Sequence, residues 1–139
     1  MVLTSSPTVQ LFPAIIAHNC LLSAPINSTI ALDFLSYYND NIQFQSTLAY
    51  LKNPPSSYQQ PAIDVIGSLN NISQRVRAGE FKSEYAFEAA VQEVVYATHD
   101  DHVTLDTGIL GAFTFGSPLR IVSASTDGIA LPKIYIAGE

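Results

Sequence analysis

The chain has 139 residues, 47% of them apolar and only 13% charged, with a formal net charge of −6. That is the length of one ordinary domain, able to bury roughly two-thirds of its unfolded surface without metal or disulfide support. Its six basic residues, Lys52, Arg75, Arg77, Lys82, Arg120 and Lys133, form no stripe for a phosphate backbone, and no apolar run is long enough to span a bilayer, so neither nucleic acid nor membrane is an expected partner.

With so few charges, surface polarity must come from Ser, Thr, Asn and Gln, a balance that suits an extracellular protein. Met1 to Pro7 has neither the charged start nor the apolar core of a signal peptide, so the expectation is a secreted protein whose signal has been removed. Asn27-Ser28-Thr29 and Asn71-Ile72-Ser73 fit the N-glycosylation sequon, which makes Asn27 and Asn71 candidate glycan sites. Chance triplets in an Asn- and Ser-rich chain are the competing explanation. The single cysteine, Cys20, excludes an internal disulfide. Its neighbours Ile15, Ile16, Leu21 and Leu22 predict a buried, inert thiol rather than a nucleophile paired with His18 or His102.

In chain order, residues 1–11 read as a flexible arm rich in Ser, Thr and Pro, and residues 12–139 as a single domain. Pro13 suits the first turn of a short helix through Ala14, Ala17, Cys20 and Leu21, which Pro25 ends. A second helix, capped by Asn27 or Ser28, is expected to reach Lys52, about 39 Å at the usual rise per residue, with a kink near the polar Asn39-Asp40-Asn41. Its aromatic residues read as core packing. After a turn-rich connection over 54–61, a third helix starts at Asp64 with Ile66, Leu69, Ile72 and Val76 on one face. Arg75 and Arg77 complement its carbonyl end, and Gly79 is the expected left-handed cap. Ser83 caps a fourth helix carrying Phe87, Ala90, Val91 and Val94 at helical spacing.

Beyond Asp101 the apolar period changes to two. Strands are expected over 102–106, 112–115, 119–125 and 133–136, with a tight hairpin turn at Asp127-Gly128. The predicted fold class is therefore α+β, with about four N-terminal helices packed on a small C-terminal antiparallel β-sheet.

The junction Thr98-His99-Asp100-Asp101-His102 holds the densest cluster of titratable side chains. It predicts His102 on the polar face of a strand's first residues, where a rigid scaffold can offer an imidazole to a cleft as a general base. His99, Asp100 and Asp101 are the candidate site neighbours. On spacing alone, a solvated junction is the more economical explanation. A metal site built from His99, His102 and Asp100 or Asp101 would draw ligands from two backbone geometries and lacks an evident fourth partner, so no metal and no cofactor are expected.

Several stretches, taken together, resemble a known family. They are Cys20-Leu21 with Ser23, Pro25 and Asn27; Gln45-Ser46-Thr47-Leu48-Ala49-Tyr50-Leu51-Lys52-Asn53-Pro54-Pro55; Val65-Ile66-Gly67; Glu84-Tyr85 with Phe87; Thr98-His99-Asp100 with His102; and Leu131-Pro132-Lys133-Ile134-Tyr135. The chain resembles the N-terminal module of fungal serine peptidases of the tail-specific, chlamydial-protease-like S41 family. The resemblance implies a module that precedes a PDZ-like domain and a catalytic domain, and a histidine of the His-Asp-Gly-His type that serves a distant serine as general base. His102 matches that histidine. The glycine before it is Asp101 here and the usual aromatic after it is Val103, so the base's surroundings are altered. The chain stops at Glu139, about where the PDZ-like domain would begin, and contains no Gly-x-Ser-x-Gly motif. The expectation is thus a stand-alone, secreted, non-catalytic module that binds another protein, with a secreted host protease the first candidate and self-association the second. The alternative is an excised piece of a full S41 peptidase in which His102 is the base.

Overall fold

The computed structural model describes residues 10–106 and 108–137, so the arm expected over 1–11 lies almost wholly outside the described residues. Among the described residues five helices come first, then a short 3₁₀ turn and two strands. Helix α1 spans Ala14–Ser23, with Pro13 at its N-cap as its fixed φ favours. Helix α2, Ser28–Ile42, is capped by Asn27, whose Oδ1 accepts the N–H groups of Thr29 and Ile30. Across the intervening Pro25, α1 and α2 turn by 96°. No single described helix is long and apolar enough to cross a membrane.

The long second helix divides in two. Helix α3 is Leu48–Lys52, and residues 43–47 form turns between it and α2. The break has a local cause. Asn41 Nδ2 donates to the Tyr37 carbonyl and Gln43 Nε2 to the Asn39 carbonyl, while the N–H groups of Phe44 and Gln45 reach back only three residues, to Asn41 and Ile42. Amide side chains that satisfy terminal carbonyls let a helix end without exposing unpaired acceptors. The kink expected at Asn39-Asp40-Asn41 is a full break a few residues later.

Helix α4, Val65–Arg77, starts where Asp64 accepts the Gly67 N–H and closes in a Schellman motif, with Glu80 N–H on the Arg75 carbonyl and Gly79 N–H on the Val76 carbonyl. Gly79 has φ +68°, the left-handed cap expected from the sequence. Helix α5, Glu84–Tyr96, is capped by the buried Ser83, which accepts the Ala86 N–H. The core lies among these helices. It joins Ala31 and Leu35 of α2, Leu51 of α3, Leu69, Ile72 and Val76 of α4, and Phe87, Val91, Val94 and Val95 of α5, with Phe81 and Val103 closing its ends.

The fold class is α+β, and the β part is smaller than predicted. Strands β1, Ile121–Ala124, and β2, Lys133–Ile136, pair antiparallel with Ile121 opposite Ile136 and Ala124 opposite Lys133. All eight residues are exposed, so the helices pack on one another and not on a buried sheet face. The strands expected over 102–106 and 112–115 do not form. Residues 104–106 form no ladder and are bound instead to α2, where the Tyr38 hydroxyl donates to the Thr104 carbonyl. The chain then enters a 3₁₀ turn at Ile109–Gly111, whose first N–H groups, those of Ile109 and Leu110, are both accepted by the Glu88 carboxylate. The tight two-residue hairpin is also absent, since residues 125–132 form a longer loop. There Asp127 Oδ1 accepts the N–H groups of Ile129 and Ala130, and Pro132 has no N–H to extend the ladder.

Cys20 is exposed, contrary to the buried thiol the sequence predicts. Apolar residues are spread around helix α1, with His18 and Asn19 among them, so helical periodicity does not single out its inner face. Only Ala17 and Leu21 are buried, and Ile15, Ile16 and Leu22 are open to solvent with Cys20.

A neutral thiol reagent should therefore label Cys20 in the native protein at a rate within a few-fold of the unfolded chain; protection by orders of magnitude would contradict this placement. At the end of α4, Gly79→Ala should cost about 1 kcal/mol in chemical denaturation, because a Cβ there meets no neighbouring atom and only the left-handed backbone resists it.

Candidate functional site

The site is built where α5 stops. Thr98, 2% exposed, donates its hydroxyl to the Val95 carbonyl and accepts the Asp100 N–H at 3.3 Å. His99 then adopts φ +50°, a left-handed conformation uncommon for a residue with a Cβ, which reverses the chain out of the helix. The next residues form a turn, closed by Val103 N–H on the Asp100 carbonyl at 3.0 Å, with Val103 buried beneath it. His102 thus sits on a turn anchored from below, not on the strand that alternation predicted.

Within that turn Asp100 organises its neighbours. Its Oδ1 accepts the backbone N–H of His102 at 2.9 Å and lies 3.0 Å from His102 Nδ1. Its Oδ2 accepts from Gln45 Nε2 at 2.7 Å, and the same Gln45 nitrogen donates to Thr47 Oγ1 at 2.8 Å. The His102 backbone N–H, the imidazole and Gln45 together favour the carboxylate form of Asp100 and hold its pKa below the usual value. The side chain of Asp100 is 22% exposed and that of His102 is 90% exposed. Among the described residues no partner occupies His102 Nε2.

The four candidate residues therefore separate. Asp100 and His102 form a pair, whereas Asp101 and His99, both exposed, make no side-chain hydrogen bond among the described residues. The acidic partner of the imidazole is Asp100, two positions back, rather than the adjacent Asp101. Sequence reasoning passed over this, although an Asp two residues before another residue commonly reaches that residue's N–H in an Asx-turn. Gln45 was missed as a site residue because it joins the turn from 55 positions away. Among the described residues no three His, Cys, Asp or Glu side chains converge as metal ligands.

Two clefts flank the turn. One, of 390 Å³, is walled by Tyr50, Leu51, Pro54, Pro55 and Tyr58 and has the 98–102 segment as its other side. The second, of 470 Å³, lies between the turn and the Gln92-to-Tyr96 end of α5. The remaining candidates lie elsewhere. Asn27 caps α2, and Asn71 is exposed on the outer face of α4.

An imidazole held through Nδ1 by an ionised carboxylate, with Nε2 open beside a cleft, has the geometry of a general base that takes a proton at Nε2. Two curated fungal proteins from Diaporthe leptostromiformis, peptidase S41 family protein phomP1′ and peptidase S41 family protein phomP1, are 27% and 26% identical to this chain over 85 residues. Each match takes in 61% of this chain and 13% of the relative, so the chain aligns with only a small part of those proteins. No family model and no solved structure matches the chain. The similarity supports an S41-like relationship.

Because its folded-state pKa is lowered, Asp100 contributes stability that is fully present above the unfolded carboxyl value and is lost as pH falls through the folded one. The stability difference between wild type and Asp100→Asn should narrow as pH falls below about 4. Urea midpoints measured below about pH 4 check this, and a difference that widens there would reverse the sign.

Proposed function

We propose, from its relationship to fungal S41 peptidases, that this chain supplies the general-base segment of a serine peptidase of that type. The observation that carries this reading is the 3.0 Å contact between Asp100 Oδ1 and His102 Nδ1 beneath an open Nε2. An ionised carboxylate accepts but cannot donate, so Nδ1 carries the hydrogen and Nε2 carries the lone pair. In the reaction, Nε2 takes the proton from a serine hydroxyl as its oxygen attacks the peptide carbonyl, and later delivers that proton to the leaving amine. Asp100 stays ionised and stabilises the imidazolium that forms between the two steps. The serine and the oxyanion donors come from a separate segment of the peptidase, and the Tyr- and Pro-walled cleft beside the turn lies where substrate approaches.

A second reading has its own support. Ile121, Ile134 and Ile136 of the ribbon are 64%, 77% and 68% exposed, and Leu131 and Ile129 beside them are open as well. Apolar area of this kind favours association with another protein, and strand edges add backbone pairing. In this reading the chain is a secreted, non-catalytic module that binds an extracellular protease or a second copy of itself. The low charge and the exposed asparagines of the two sequons, Asn27 and Asn71, support secretion.

The transcript separates the two. A reading frame that continues beyond Glu139 into PDZ-like and catalytic segments supports the base reading, and a stop codon there removes it. In the peptidase that contains this segment, His102→Ala should lower kcat/KM by about a thousandfold or more with folding intact. Activity within a few-fold of wild type would refute the role. For the binding module, inhibition of an extracellular cysteine or serine protease, or a dimer on sizing, is the expected result, and an inert monomer counts against it.

A further inference from the structure

We infer that Gln45 is a positioning residue for His102, acting through Asp100 to hold the imidazole as the Nδ1–H tautomer. This deepens the general-base reading, yet it concerns the resting chain and can be examined without any catalytic partner. A carboxylate on an exposed turn can rotate about its terminal bond, and two oxygens that exchange places offer the imidazole no fixed acceptor. Here the two oxygens have different duties. Oδ1 takes both the backbone N–H and Nδ1 of His102, while Oδ2 takes Gln45 Nε2 at 2.7 Å, the shortest of the three contacts.

Gln45 is itself fixed. Its Nε2 has two hydrogens, and the second is accepted by Thr47 Oγ1, the hydroxyl at the start of α3. Its backbone N–H is held by the Ile42 carbonyl in the turn that ends α2. Gln45 is half-buried, so these bonds compete with less water than surface contacts do. The break between α2 and α3 thereby acquires a purpose, because it sets the Gln45 amide between the α3 cap and the catalytic turn. The carboxylate plane is defined by Gln45, the tautomer by the carboxylate, and the open lone pair on Nε2 by the tautomer.

The experiment is nitrogen-15 correlation spectroscopy of the His102 ring in this chain, at a pH where the imidazole is neutral. Wild type should be predominantly Nδ1–H. Gln45→Leu should lower the Nδ1–H to Nε2–H ratio by about fivefold, the effect of losing one hydrogen bond of ordinary net strength. Thr47→Val, which removes the other acceptor of the Gln45 amide but leaves the bond to Asp100, should retain most of the wild-type ratio. Gln45→Met repeats the test in a longer side chain should the leucine variant fold poorly. A predominantly Nε2–H wild type, an unchanged ratio in a folded Gln45 variant, or an equal change in Thr47→Val would each overturn the inference. The two claims fail separately. A peptidase indifferent to His102→Ala sinks the general base while leaving the tautomer result standing, and an unmoved ratio sinks Gln45 while leaving catalysis by His102 intact.

Discussion

Burial of one face of α5 is the constraint from which the rest follows. Val91 is fully buried, with Phe87, Val94 and Val95 nearly so, and each such side chain removed from water contributes roughly 2 kcal/mol. Helix α4 packs along this face, α1 crosses near its start, and the 3₁₀ turn is tied to it through Glu88. Even the end of α1 is attached, since the Ala24 carbonyl accepts the Glu84 N–H. A helix so enclosed has a fixed axis and a fixed last residue. The turn that follows it inherits that position, and Thr98 and Val103, buried on either side of His99 to His102, keep the turn from swinging away.

The site depends on a second constraint, the interruption between α2 and α3. A continuous helix through residues 43–47 would have bound its own amides, leaving Gln45 as one more residue on a cylinder. The side chains of Asn41 and Gln43 close the helix early, and the chain then turns Gln45 towards Asp100. Polar side chains that compete with the backbone usually weaken a helix. Here the loss of one turn brings together groups 55 residues apart.

Away from the helices, the ribbon of β1 and β2 presents a different problem. Its strands are short, its side chains are exposed, and its loop meets the connection between α3 and α4 at Gln59, whose Nε2 donates to the Ile129 carbonyl. Two strands alone are marginal in water. Within the loop Asp127 supplies order, because three donors converge on its Oδ1 and hold its pKa low, the backbone N–H groups of Ala130 and Ile129 first. The ribbon and the outer side of α1 leave Ile15, Ile16, Leu22, Ile121, Ile134 and Ile136 open to solvent.

The sequence by itself determined the elements whose cause is local. Caps at Asn27, Asp64 and Ser83, the left-handed Gly79 and the apolar stripe of α5 are written in spacings of one to four residues, while the S41-like resemblance rests on short stretches spread along the chain. What only the tertiary structure decided is whatever two distant segments settle between them. Alternation at 102–106 predicts a strand, yet a strand needs a partner, and the Tyr38 hydroxyl and the core claimed that segment first. Apolar residues spread around α1 conceal which face is buried, and the packing that leaves Cys20 outside is not written in its spacing. Asp101 stands next to His102 in sequence, but a turn brings residues i and i+2 together, and the pairing therefore falls to Asp100. Gln45 completes the set because a hydrogen bond depends on distance in space, and sequence separation carries no record of that distance.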